Sequence, residues 1–214
     1  MELSKVKFWL RPLVKALPPK RWILISLVVI IVASFLIVPL VKKWMYPLRY
    51  EEIILEESAA TGADPYLVMA IIRAETKFDP NGQSRVNAKG LMQIMPDTAK
   101  DIVKRGNFSL SLINELDDVR INIRMGSWYL VDLSKQFQTD KIAIIAAAYN
   151  SGPGTIKKAI ESGKWDGDPN NTEGLYGETR HYVQKVTFYY DNYKELYGKQ
   201  VEEYYRKHPK KEIK

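Results

Sequence analysis

The placement of Glu75 is chemically unusual. The segment Asp64-Pro65-Tyr66-Leu67-Val68-Met69-Ala70-Ile71-Ile72-Arg73-Ala74-Glu75 reads as a helix. Asp64 can accept from the free amides at a helix start, and Pro65 fits the first helical position, where a missing N–H costs nothing. Val68, Ile71 and Ile72 recur at helical spacing, and Glu75 follows them at seven, four and three residues. Its carboxyl group therefore projects from the edge of the apolar stripe at the helix C-terminus. Burial disfavours the ionised form there, and so does the negative end of the helix dipole, so the pKa is expected to rise. A carboxylic acid that stays protonated near neutral pH can donate to the oxygen of a glycosidic bond. The same position also suits a glutamate that reaches around the stripe edge to solvent.

Other polar residues sit in similarly marked places. Gln93 lies inside Leu91-Met92-Gln93-Ile94-Met95, where an amide must find a buried partner or face a cleft; a cleft is expected. Met92 reads as a core filler. Tyr149 ends an apolar run, and its hydroxyl needs a partner that a neighbouring carboxyl would supply. Glu178 suits the first turn of a helix or the wall of a cleft. A glycosidase ordinarily uses two carboxylates about 5–10 Å apart. Asp79 belongs to a loop and Glu178 is distant along the chain, so Glu75 alone combines an acid with an apolar setting. One acid suffices when the substrate supplies the nucleophile. His181 and His208 are too few and too separate for a metal site, and no metal or cofactor is expected.

The elements that position these residues read as helices. Asp117 to Gln138 carries apolar residues at helical spacing, Ile142 to Tyr149 is nearly all apolar, and Asn150-Ser151-Gly152-Pro153-Gly154 is dense in turn residues. Helices are also expected from Glu51 to a stop at Gly62, from Pro96, from about Thr155 to Glu161, and from Thr179 to Tyr197. Alternating strand patterns are scarce, and a mostly α domain is expected. Trp22 to Val41 is twenty residues without a charge, enough helix to cross a hydrocarbon core of about 30 Å. Pro39 lies near its end, where a break costs least. A cleavable signal peptide would have a shorter apolar core, so an uncleaved anchor is favoured. Six lysines and arginines precede the span against three between it and residue 50, which places the N-terminus in the cytoplasm and the rest outside.

The formal charge of +7 is uneven. Residues 1–50 hold nine basic side chains and one acidic, whereas residues 51–198 hold 17 basic and 21 acidic. The basic excess is the juxtamembrane pattern drawn to anionic headgroups, and the acidic domain argues against nucleic acid as a partner. Cysteine is absent, so disulfides and thiolate metal sites are excluded.

Four segments bring these features together: Glu75-Thr76-Lys77-Phe78-Asp79-Pro80, Gly90-Leu91-Met92-Gln93-Ile94-Met95-Pro96, Ala148-Tyr149-Asn150-Ser151-Gly152-Pro153-Gly154 and Glu178-Thr179-Arg180-His181-Tyr182-Val183. In order and spacing they resemble the soluble lytic transglycosylase domain family over about residues 50–197. The resemblance implies a goose-type-lysozyme-like α fold and cleavage of peptidoglycan between N-acetylmuramic acid and N-acetylglucosamine. It places the catalytic acid/base on Glu75. Ser84, Gln93, Met95, Tyr149, Asn150, Glu178 and Tyr182 fall on the family's substrate-binding positions. Thr76 replaces a commoner serine and keeps its hydroxyl. Asn87 stands where the loop often has glycine, and asparagine tolerates positive φ.

The expected organisation is a cytoplasmic basic segment over residues 1–21, an anchor over 22–41, a linker over 42–50, the catalytic domain over 51–198 and a solvated charged tail over 199–214. The expected product is a 1,6-anhydromuramic end, formed with Glu75 as acid and then base. The expected partners are peptidoglycan strands, the cytoplasmic membrane and proteins of an envelope assembly. A hydrolytic muramidase of the same fold and a silent glycan-binding scaffold are the alternatives.

Overall fold

The computed structural model describes residues 19–82 and 87–209. The chain divides into two compact units with a boundary between Pro47 and Leu48.

The described part of the first unit is dominated by one helix, α1, Lys20–Met45, none of whose residues is buried. Apolar side chains cover it all round, as a lipid-facing helix requires. Its two serines turn inward: Ser26 donates to the Trp22 carbonyl at 2.8 Å and Ser34 to the Ile31 carbonyl at 2.7 Å. Neither hydroxyl then needs water. Pro39 lies within the helix instead of ending it, and the helix continues through residues expected to form a linker. Proline removes a single ladder bond, and membrane-spanning helices tolerate that loss. Lys42 and Lys43 fall in the last turn, where cations complement the helix dipole.

The second unit contains α2 (Glu51–Thr61), α3 (Pro65–Glu75), α4 (Pro96–Gly106), a 3₁₀ turn over Leu110–Glu115, α5 (Val119–Phe137), α6 (Ile142–Ser151), α7 (Pro153–Glu161) and α8 (Gly177–Lys207). No strand occurs among the described residues, where the β pairing is a single isolated bridge between Lys89 and Ile94. Boundaries follow local chemistry. The Asp64 side chain accepts from the amides of Tyr66 at 2.8 Å and Leu67 at 3.4 Å. Asp118 accepts from Ile121 at 2.9 Å to start α5. Gly62 ends α2 with φ 83°, a conformation that only glycine adopts without steric cost. Proline occupies the first position of α3, α4 and α7, so α7 starts at Pro153, two residues before the expected Thr155.

Two short helices form the centre. Leu67 to Ile72 of α3 are all buried, as are Ala143 to Ala148 of α6. Helices apolar on every side must be enclosed. α8 lies along both, and α5 packs against α2 and α6. The alanines of α6 let its neighbours approach closely.

α8 is longer than expected. Residues 199–207, read from the sequence as part of a solvated tail, continue the helix. Tyr193, Tyr197, Val201 and Tyr205 form an i, i+4 series; Val201 is 3% exposed, and the Tyr205 hydroxyl donates to the Leu55 carbonyl at 3.3 Å. The many charges occupy the other faces and hid this narrow stripe. A second tie between α2 and α5 is ionic: buried Glu57 meets Arg124 at 2.7 Å and Arg120 at 2.9 Å.

Candidate active site

Glu75 is the last residue of α3 and is half-buried. The Tyr182 hydroxyl of α8 donates to its Oε1 at 2.5 Å, a charge-assisted bond when the carboxyl is ionised. Burial is the main influence on this carboxyl and raises its pKa; the Tyr182 bond and the Lys185 ammonium oppose the rise, and Glu178 adds to it. The phenols of Tyr182 and Tyr149 are held well above their usual pKa, chiefly by burial and then by the negative charge of Glu75. Both therefore remain hydrogen-bond donors around the carboxyl.

Tyr149 does not use the carboxyl partner expected for it. Its hydroxyl donates to the Met92 carbonyl at 2.7 Å, although Glu75 is near enough for its charge to be felt. A turn leaves carbonyls outside any helix ladder, and this one was the available acceptor. Tyr182 holds the position beside Glu75 instead.

The turn carrying Met92 is fastened on three sides. Thr76 donates to the Leu91 carbonyl at 2.9 Å, so the hydroxyl kept in place of serine links the end of α3 to this turn. Asn122 of α5, fully buried, accepts from the Met92 amide at 2.8 Å and donates to the carbonyls of Lys89 and Leu116, each at 2.9 Å. Gly90 has φ 67°, and a Cβ there would collide with the Asn122 amide and the Leu116 carbonyl. Gln93, at φ 50°, bonds through Nε2 to the carbonyls of Gly90 at 2.9 Å and Gly82 at 3.3 Å. Sequence reasoning passed over Asn122. Its signal was a carboxamide in register with Met125, Gly126 and Tyr129 on the buried face of α5.

The remaining candidates fall as follows. Met95 is 40% exposed at the start of α4, whereas Met92 is fully buried against Gly126, where any Cβ would strike the Met92 sulfur. Asn150 is half-buried near the end of α6, and Glu178 is exposed in the first turn of α8. Asn87 adopts φ 60°, as its type allows. Ser84 lies outside the described residues. Asp79 is exposed, and its carboxylate accepts from the Asn81 amide at 3.0 Å within its own turn. An open cavity of about 620 Å³ is lined by Thr155, Lys158, Lys164, Tyr176 and Thr179, among others. It borders Asn150 and Glu178 in the chain, but Glu75 does not line it. No three His, Cys, Asp or Glu side chains converge as a metal site among the described residues.

Residues 52–171 match the Transglycosylase SLT domain family. The chain belongs to that family. Over 158 residues it is 34% identical to the soluble lytic murein transglycosylase of Escherichia coli K12, a match covering 72% of this chain and 24% of the relative. Over 124 residues it is 32% identical to membrane-bound lytic murein transglycosylase C of Edwardsiella ictaluri, covering 54% of this chain and 34% of the relative. The crystal structure of the 70 kDa soluble lytic transglycosylase from Escherichia coli superposes with a TM-score of 0.68 at 31% identity, over 73% of this chain and 26% of that one. An inactive glutamate-to-glutamine mutant of the Pseudomonas aeruginosa lytic transglycosylase Slt gives 0.61 at 28% identity, over 72% and 25%. This SLT-domain chain thus spans about a quarter of the length of its soluble relatives. The superposition extends to an architecture that is mostly α, as the resemblance implied.

Proposed function

We propose that this SLT-domain protein is a membrane-anchored peptidoglycan lytic transglycosylase that cleaves the β-1,4 bond between N-acetylmuramic acid and N-acetylglucosamine. The reading is carried by one observation: a half-buried carboxyl at the end of α3, its pKa raised by burial, bonded to the Tyr182 phenol. In the acid step Glu75 gives its proton to the glycosidic oxygen. The C1–O bond breaks, and the N-acetyl carbonyl oxygen of the muramic residue bonds to C1. In the base step the Glu75 carboxylate takes the proton of the C6 hydroxyl. O6 then bonds to C1, displacing the acetyl oxygen and leaving a 1,6-anhydro end. No water is consumed.

Tyr182 supports both steps by holding Oε1 in place and stabilising the carboxylate between them. Gln93, Met95, Tyr149, Asn150 and Glu178 are assigned to the groove that holds the glycan, and Ser84 is assigned to substrate binding with them. Similarity to enzymes named lytic murein transglycosylases supports the reaction class, and the inactive glutamate-to-glutamine mutant of one relative is consistent with an essential acid. The apolar α1 and the membrane-bound relative support anchoring. The lysine and arginine bias supports a cytoplasmic N-terminus with the catalytic unit outside.

The test is digestion of purified cell walls by the full chain, followed by product masses. Soluble fragments one water lighter than reducing-end products are expected. Glu75→Gln should lower the rate at least 10²–10⁴-fold, roughly the worth of general acid–base catalysis. Reducing-end products would identify a muramidase. Binding to walls without release of fragments would identify a scaffold.

A further inference from the structure

Lys185 has two attachments that converge on Glu75. Its Nζ donates to the Ala74 carbonyl at 3.1 Å and lies 5.4 Å from the centre of the Tyr182 ring. Ala74 immediately precedes Glu75, and its carbonyl is among those that the end of α3 leaves without a helical partner. The ammonium is thus fastened to the backbone beside Glu75 and to the ring whose hydroxyl bonds the Glu75 carboxyl. Glu178, Tyr182 and Lys185 follow one another at four and three residues, so one face of α8 presents an acid, a phenol and a cation. We propose that Lys185 is a positioning residue for the acid/base, compensating the charge left on Glu75 between the two proton transfers and holding Tyr182 in its bonded orientation. The proposal rests on Glu75 being that acid/base.

The groups that act on Glu75 can be named by element. From α8 come Tyr182, Lys185 and Glu178; Tyr149 of α6 feels the charge of Glu75 but bonds to the Met92 carbonyl. Arg73, on α3 itself, lies with its guanidinium 5.9 Å from the centre of the Tyr189 ring. Lys185 thus opposes Glu178, and it also opposes burial. A site that must be acid first and base second gains from such a counterweight. Burial alone would keep the proton on Glu75, whereas an unshielded cation in contact would remove it before the acid step. Lys185 is exposed, so its influence is partly screened by water and sensitive to salt.

The experiment uses the full chain in detergent with three substitutions: Lys185→Met, Lys185→Gln and Lys185→Arg. Glutamine keeps an N–H donor, one bond shorter than lysine, but carries no charge, which separates the electrostatic role from hydrogen bonding at the helix end. Two readouts are followed: NMR titration of the Glu75 carboxyl, which needs no activity, and the pH profile of kcat/KM on soluble glycan fragments. Loss of the ammonium raises the Glu75 midpoint, so the proton persists to higher pH and the alkaline fall in rate moves up with it. The expected shift is upward in the Met and Gln variants, and smaller than for a buried pair because of exposure. kcat should fall about tenfold with little change in KM, an order-of-magnitude expectation for losing one charge contact to a transition state. Arginine should restore both readouts. Adding salt should move the wild type toward the Gln variant, because Lys185 acts on Glu75 more strongly than Glu178 does. An unchanged titration in the Met and Gln variants overturns the proposal, and so does failure of arginine to restore it. If the wild type releases no fragments, the transglycosylase reading fails and this assignment falls with it; a wild type that cleaves, with an unchanged titration in the Met and Gln variants, fails this assignment alone.

Discussion

A carboxyl whose pKa is raised on folding carries a stability cost, and at Glu75 the sign can be worked out. An unfolded glutamate titrates near 4.3, roughly its model-peptide value. The folded pKa lies above that, chiefly because of burial. Between the two values the folded state binds more protons than the unfolded state, so stability falls as pH rises through this window and stays reduced above it. Glu75→Gln removes the titration. The variant is therefore expected to have a higher Tm than wild type at pH 7–8, with the difference shrinking toward pH 4, by thermal unfolding monitored with circular dichroism. A Tm difference independent of pH would contradict the raised pKa. The apolar setting of Glu75 was legible from three isoleucine and valine positions, but its partner was not. Tyr149 and Tyr182 are both tyrosines near the carboxyl, and only the path of α8 decides that Tyr182 makes the bond.

At the scale of elements, α8 is the organiser. It touches α3 and α6 along its length, and through Tyr182 and Lys185 it holds the end of α3. A second tie lies at its start: the Tyr190 hydroxyl donates to Asp64, the same side chain that caps α3, at 2.9 Å. Both ends of α3 are thus bonded to one helix. The last turns of α8 are structural, with Val201 buried and Tyr205 reaching the Leu55 carbonyl of α2. Truncation after Gly198 should destabilise the second unit by about 2–4 kcal/mol, roughly the burial of one or two apolar side chains, by denaturant unfolding. No measurable loss would mean that these turns are dispensable. The sequence carried the signal for this extension in the spacing of Tyr193, Tyr197, Val201 and Tyr205. Dense charge obscured it, because an amphipathic stripe one residue wide resembles a polar segment when read by composition.

At the scale of the molecule, basic charge is concentrated near α1 while residues 51–198 are net acidic. The break after Pro47 coincides with that change. Residues 46–50 alone connect α1 to α2, at most about 18 Å of extended chain, which under the proposed anchoring would limit the reach of the second unit from the membrane. Deleting residues 1–47 should give a soluble, folded protein that keeps its helical circular dichroism, whereas the full chain should require detergent. Sedimentation of both forms with and without lipid vesicles measures this. A truncated form that still pelleted with vesicles would place a membrane contact within the second unit.

The sequence by itself determined most of the helices, the apolar span and the apolar setting of Glu75. Those depend on local rules: caps at Asp64 and Asp118, proline at first positions, glycine or asparagine at positive φ, and periodicity of apolar residues. It also determined the family, because four segments occur in fixed order. Only the tertiary structure decided what surrounds the acid. Tyr182 and Lys185 lie more than a hundred residues from Glu75, and Asn122 pins Met92 from thirty residues away. Such bonds depend on where two helices cross, and that crossing is set by packing of the whole core and not by any segment within it.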